Sequence, residues 1–224
     1  FDDYHFSRTD KEYFKDGRIT FNLAGKFEKR KNHKKVIEAW VKKFGNNPKY
    51  SLQCALHNPF VKEERLRQMY VEAMFGRKFG NVMFLSFMME NKLYNDYLNS
   101  GDIVIGMSGG EGWGLPEFQS LCLGKHAVIL DCSSHKDWAN KENSVMIKPS
   151  GKTEVYDDIF FKKGGNFNQG NVYTFNEDEF IAGCEEAIKR VEKDKLNKEG
   201  VKLKEKFTYE NTANKILEVL KDNA

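Results

Sequence analysis

The segment Ser108-Gly109-Gly110-Glu111-Gly112-Trp113-Gly114-Leu115-Pro116 places glycines, one carboxylate and a helix-starting proline side by side. Glycine lets a backbone approach a ligand closely, and the first amides of a helix have no intrahelical acceptor. Together with the helix dipole, such amides suit a phosphate group. The spacing is neither a dinucleotide fingerprint nor a Walker loop, because no Gly-Lys-Ser/Thr follows. A tight turn that uses glycine only for geometry has the same composition. The second candidate group is Gly25-Lys26, followed by Lys31-Asn32. Two lysines there would neutralise a diphosphate from the opposite side of a crevice. A solvated basic run is the alternative, since Lys29, Arg30, Lys34 and Lys35 surround them. No histidine and carboxylate set appears at metal-ligand spacing, so no metal is expected.

Elements on either side must hold these residues in place. Ile19 to Ala24 reads as a strand closed by Gly25, and Val36, Ile37, Trp40, Val41 and Phe44 then recur at helical spacing, with Asn32 placed as the cap. Tyr50 to Leu56, Asn81 to Ser86 and Asp102 to Gly106 read as further strands, separated by helices over Lys62 to Phe75 and Glu90 to Leu98. Pro116 suits the first position of a short helix that Gly124 ends, and His126 to Asp131 and Ser144 to Ile147 complete the strand set. This alternation predicts an α/β, doubly wound, Rossmann-like fold with a mostly parallel sheet covered on both faces. Ligands of such sheets bind beyond the carboxyl ends of the strands, where both candidate groups fall.

Residues 149–174 break the rhythm with glycine and asparagine and read as a long loop or an irregular hairpin. Its aromatics Phe160, Phe161, Phe167 and Tyr173 fit a decorated surface loop first, and otherwise a lid or a contact with a second half. Two helices follow, one through Phe180, Cys184, Ala187 and Val191, the other through Ile216, Leu217 and Leu220. The charged run Lys193 to Lys206 between them reads as a solvated helix face.

The 224 residues suit one large domain, or one and a half small ones, and 40% hydrophobic content is enough for a real core. Lys and Arg total 36 against 33 for Asp and Glu, an excess too small to point to nucleic acid. The four cysteines form no C-x-x-C pair, which favours reduced, buried thiols and a cytoplasmic protein. No apolar run approaches a membrane span.

Gly25-Lys26 with Lys31-Asn32, Val82 to Leu85 through Leu93-Tyr94, Asp102-Ile103-Val104, Ser108 and Glu111 to Pro116 stand in an order that resembles the donor-binding C-terminal half of retaining GT-B glycosyltransferases of family 4. Phe207 to Thr212 resembles the start of that family's final helix, so the likeness runs from Ile19 to Leu220. It implies a donor domain over residues 19–224, with 149–174 an insertion, 207–222 the final helix and 1–18 a lead-in. The substrate implied is a nucleoside diphosphate sugar, carrying UDP or GDP, used in carbohydrate biosynthesis by a hexosyltransferase-type enzyme without a cofactor. Lys26, in place of the usual Arg, and Lys31 would contact the diphosphate beside Gly25 and Ser108. Glu111 would touch the transferred sugar and act as the catalytic residue. The backbone of Gly112, Trp113, Gly114 and Leu115 would meet the phosphates. Gln119 stands where the family has the glutamate that holds the ribose hydroxyls, which costs a charge-assisted bond. The base is expected near Phe87 and Met88.

GT-B enzymes have two halves, so an acceptor-binding N-terminal half, in cis or in trans, is the expected partner, and any membrane contact would belong to it. The changes at Lys26 and Gln119 favour an alternative, a non-catalytic nucleotide- or partner-binding module on the same fold. A sugar-nucleotide epimerase would use the same crevice.

Overall fold

Ile103, Val104 and Ile105 are all buried and enter two different cores in alternation, as a strand covered on both faces requires. In the computed structural model, which describes residues 1–156, 161–164 and 170–222, they belong to a six-stranded parallel sheet. Its strands are β1 (Ile19–Lys26), β2 (Tyr50–His57), β3 (Val82–Phe84), β4 (Ile103–Gly106), β5 (His126–Leu130) and β6 (Val145–Ile147). Their order is β3-β2-β1-β4-β5-β6. β1 pairs with β2 from Ile19↔Tyr50 to Lys26↔His57, and with β4 through Phe21↔Ile103 and Asn22↔Val104. The chain leaves β1 toward one edge and returns at β4 toward the other. A crevice therefore opens beyond the ends of these two strands, which are where the two candidate groups lie.

On one face, α1 (His33–Phe44), α2 (Glu63–Ala73) and α5 (Glu177–Lys193) bury Trp40, Leu66 and Phe180 against Phe21, Leu52 and Val128. On the other, α3 (Asn91–Ser100) and α4 (Leu115–Cys122) bury Leu98, Phe118 and Leu121. The doubly wound architecture is as the sequence predicts.

Several local expectations need correction. Asn32 does precede α1, but it adopts a left-handed backbone (φ 58°) and its side chain makes no cap bond. Leu115, not Pro116, is the first residue of α4, because Gly114 (φ 80°) already serves as its N-cap. The irregular segment contains a regular antiparallel pair, β7 (Gly151–Glu154) and β8 (Asn171–Thr174); Phe160 and Phe167 lie outside the described residues. The charged run is not one helix face: it breaks after α5 into α6 (Lys198–Val201) and α7 (Leu203–Lys206). Asn197 causes the break. Its Oδ1 accepts from the Gly200 amide at 2.9 Å, while its Nδ2 donates to the carbonyls of Lys125 and Asn143 at 3.0 and 2.7 Å. Leu203 then turns inward. The last helix, α8 (Tyr209–Asp222), leaves Ile216, Leu217 and Leu220 exposed. No helix among the described residues is long and apolar enough to cross a membrane.

Trp40 is fully buried, edge-on to Phe21 at 5.9 Å, and its indole N–H has no partner. Trp40→Ala is expected to cost about 3–5 kcal/mol in urea unfolding. Trp40→Phe should restore most of that, since no hydrogen bond is lost.

Candidate functional site

The 3-10 turn Lys29–Lys31 carries the basic segment from β1 to α1 and lays it along the glycine turn that follows β4. The Gly109 amide donates to the Arg30 carbonyl at 2.9 Å. Lys31, only 8% exposed, reaches across and forms an ion pair with Glu111. Arg30 adds its guanidinium, 3.4 Å from the same carboxylate, and also donates to the Gly110 carbonyl. Burial opposes the charge on Glu111, but the Lys31 ammonium, the Ser108 hydroxyl and Arg30 outweigh it and hold the carboxyl below its ordinary range. Glu111 is therefore an anion clamped between two cations.

Beyond it the turn opens. The Glu111 amide is taken by the Ser133 hydroxyl at 3.0 Å. The next four amides, from Gly112 to Leu115, donate to nothing among the described residues, and Gly114 offers no side-chain cap. Unpaired amides at a helix start attract an anion. Gly114 must be glycine here, both for its φ of 80° and because a Cβ would lie 3.0 Å from His135 Nε2. The Trp113 side chain turns away, packing edge-on against Phe118 and Phe207, while its carbonyl accepts from Trp138 Nε1 at 2.8 Å. Ser108 is buried, with its hydroxyl donating to the Gly110 carbonyl at 3.2 Å.

Beside the turn lies a mostly apolar cleft of about 460 Å³, lined by Gly25, Lys26, His57, Phe87, Met88 and Tyr94 among others. This volume is in the range of small-molecule pockets. The Phe87 ring is exposed and sits 5.0 Å from His57. Lys26 lines this cleft with its ammonium 5.0 Å from the centre of the Phe60 ring; of the two lysines, Lys31 is the one paired with Glu111. Gln119 faces α3, its Oε1 accepting from the Tyr94 hydroxyl at 3.1 Å. No group of three or more His, Cys, Asp or Glu among the described residues is arranged to hold a metal.

Four further side chains belong to this region. Arg30 was hidden in a basic run that reads as solvent-facing. His33 packs under Gly25 and Lys31, and burial with the Lys31 charge pushes it down to about 3, so it stays neutral. Glu117 and His135 sit behind Gly114, both buried, with Glu117 Oε2 and His135 Nε2 unpartnered. The signal for Glu117 is its place four residues before Leu121, on the apolar face of its own helix.

No protein-family model and no curated protein matches the chain. Solved structures do. The C-terminal domain of a glycosyl transferase group 1 family protein (LpcC) from Francisella tularensis superposes with a TM-score of 0.67 at 13% identity, covering 89% of this chain and 94% of that one. Anabaena Alr3699/HepE, in complex with UDP and glucose, gives 0.67 at 13% identity over 92% of this chain and 49% of its own. The catalytic domain of starch synthase IV from Arabidopsis thaliana, bound to ADP and acarbose, gives 0.62 at 13% identity over 96% and 40%. The chain thus has the α/β fold of the C-terminal, Rossmann-like domain of GT-B glycosyltransferases. It spans about half the length of the Anabaena protein.

Burial raises the Glu117 carboxyl above its ordinary range, against the opposing pull of Lys31 and His135. The unfolded chain therefore releases this proton at lower pH than the folded one, and Glu117 lowers stability as pH rises from the normal glutamate range upward. Glu117→Gln removes that loss. Its Tm relative to wild type should climb between pH 5 and pH 8; a flat or falling difference would contradict the assignment.

Proposed function

We propose that this chain is the donor-binding half of a retaining, hexosyltransferase-type glycosyltransferase that uses a nucleoside diphosphate sugar, carrying UDP or GDP. The observation that carries this reading is the buried Lys31–Glu111 pair at the mouth of four unpaired amides, next to a cleft of nucleoside size. The base and ribose would enter the cleft by Phe87 and Met88, with Gln119 near the ribose. Lys26 would approach the diphosphate from the β1 side. Lys31 and the amides of Gly112 to Leu115 would meet it from the other, stabilising the charge it gains as the sugar–phosphate bond breaks. Glu111 would orient the sugar ring. Acceptor contacts belong to an N-terminal half in cis or in trans, and the exposed apolar face of α8 supports such a partner. The donor is expected to bind without a metal or other cofactor, the enzyme to be cytoplasmic, and Lys26, Lys31 and the unpaired amides to supply the positive potential at the diphosphate.

The non-catalytic reading has one specific support: Gln119 presents an amide already engaged by Tyr94. The intact protein with an acceptor separates the two, since turnover excludes a pure binding module. Conversion of the sugar without any acceptor would instead identify an epimerase.

A nucleotide panel tests the donor site directly. One of UDP, GDP and ADP at about 100 times its Kd should stabilise the chain by about 2.7 kcal/mol, in the presence of EDTA. Lys31→Met, which leaves Glu111 facing the diphosphate, should weaken that nucleotide at least tenfold, whereas Glu111→Gln should not weaken it. If no member of the panel raises Tm, the donor-binding reading fails.

A further inference from the structure

Asn32 occupies a backbone conformation that side chains usually avoid, at φ 58° and ψ 13°. Its side chain does not cap α1. Instead, Nδ2 uses both of its hydrogens, donating to the Met107 carbonyl at 2.8 Å and to the Tyr173 carbonyl at 3.1 Å. Met107 is the residue that follows β4 and leads into the glycine turn, and Tyr173 belongs to β8. One amide group thus joins the start of α1, the turn and the hairpin.

A second connection runs alongside it through the backbone. The Arg30 carbonyl accepts from the Gly109 amide at 2.9 Å, and the Gly109 carbonyl accepts from the Tyr173 amide at 3.0 Å. The approach is so close that a Cβ on Gly109 would fall 2.2 Å from the Tyr173 carbonyl oxygen, so only glycine fits. Lys35, one turn further along α1, donates to the Thr174 hydroxyl at 3.1 Å and lies 4.5 Å from the Phe175 ring. β7, by contrast, is exposed along its whole length. The hairpin is therefore fastened to the site by β8, with its outer strand exposed.

We propose that Asn32 is a positioning residue. Its forked amide locks the β7–β8 hairpin onto the glycine turn and so fixes where Gly109 to Glu111 stand relative to Lys31. The hairpin is then part of the frame of the phosphate site, not a surface decoration. The consequence for ligand affinity rests on the donor-binding reading; the mechanical coupling does not.

Asn32→Gly is the informative variant, because glycine keeps the left-handed backbone without strain and removes only the fork. Amide hydrogen exchange should accelerate at least tenfold at Gly109 and Tyr173 together, with the amides of β1 and β4 unchanged. The Kd for the nucleotide that stabilises wild type should weaken about tenfold. Wild-type exchange at either amide, or uniform acceleration through the central strands, overturns the proposal. Paired acceleration with a Kd within twofold of wild type overturns its link to the site. If the wild-type chain binds no nucleotide, the donor-binding reading falls, and exchange at Gly109 and Tyr173 still decides the role of Asn32.

Discussion

A lysine and a glutamate, each with a side chain about one-tenth exposed, meet at the glycine turn, where the four amides from Gly112 to Leu115 are unpaired among the described residues. Most of the surrounding structure can be understood as what this contact requires. A buried ion pair is tolerated only where its geometry and hydrogen bonding are good, and breaking one partner typically costs about 3–5 kcal/mol. Arg30 shares the load on Glu111, and the neutral His33 beneath Lys31 adds no competing charge. The pair holds an ammonium at the edge of the turn.

Positioning the pair falls to three segments that are remote in sequence. The strand order brings the ends of β1 and β4 together, which sets the basic segment beside the glycine turn. Gly109 allows β8 to close on the turn from outside, and Gly114 allows Glu117 and His135 to pack directly behind it. Glu117 is a cost: a carboxyl buried with one oxygen unpartnered, behind the glycine turn. Burial raises its proton affinity, against the pull of Lys31 and His135.

Much of this was legible in the residues. Buried strands such as Ile103-Val104-Ile105, and helices such as Val36 to Phe44, carry a strong periodic signal, and glycine after a buried strand marks a turn beyond its carboxyl end. That was enough for the doubly wound fold and for the position of the crevice. Side-chain direction was not legible. Lys26 and Lys31 look equivalent in the chain, yet one lines the cleft by Phe60 and the other pairs with Glu111. Asn32 has the composition of a cap and serves as a clasp, because its partners lie 75 and 141 residues away. A hairpin was one of two readings of residues 149–174, and its strand bounds were not legible because Gly151 to Glu154 has no buried face to impose an alternating pattern.

The central claim is that a diphosphate docks on the amides of Gly112 to Leu115 under the charge of Lys31. Titrating the ¹⁵N-labelled chain with the stabilising nucleoside diphosphate, and following backbone amide shifts, tests it most directly. The account predicts that the largest shifts fall on Gly112, Trp113, Gly114 and Leu115, with Lys31 next. Saturable shifts confined to the exposed basic residues Lys29 and Lys34, with the glycine turn unmoved, would contradict it.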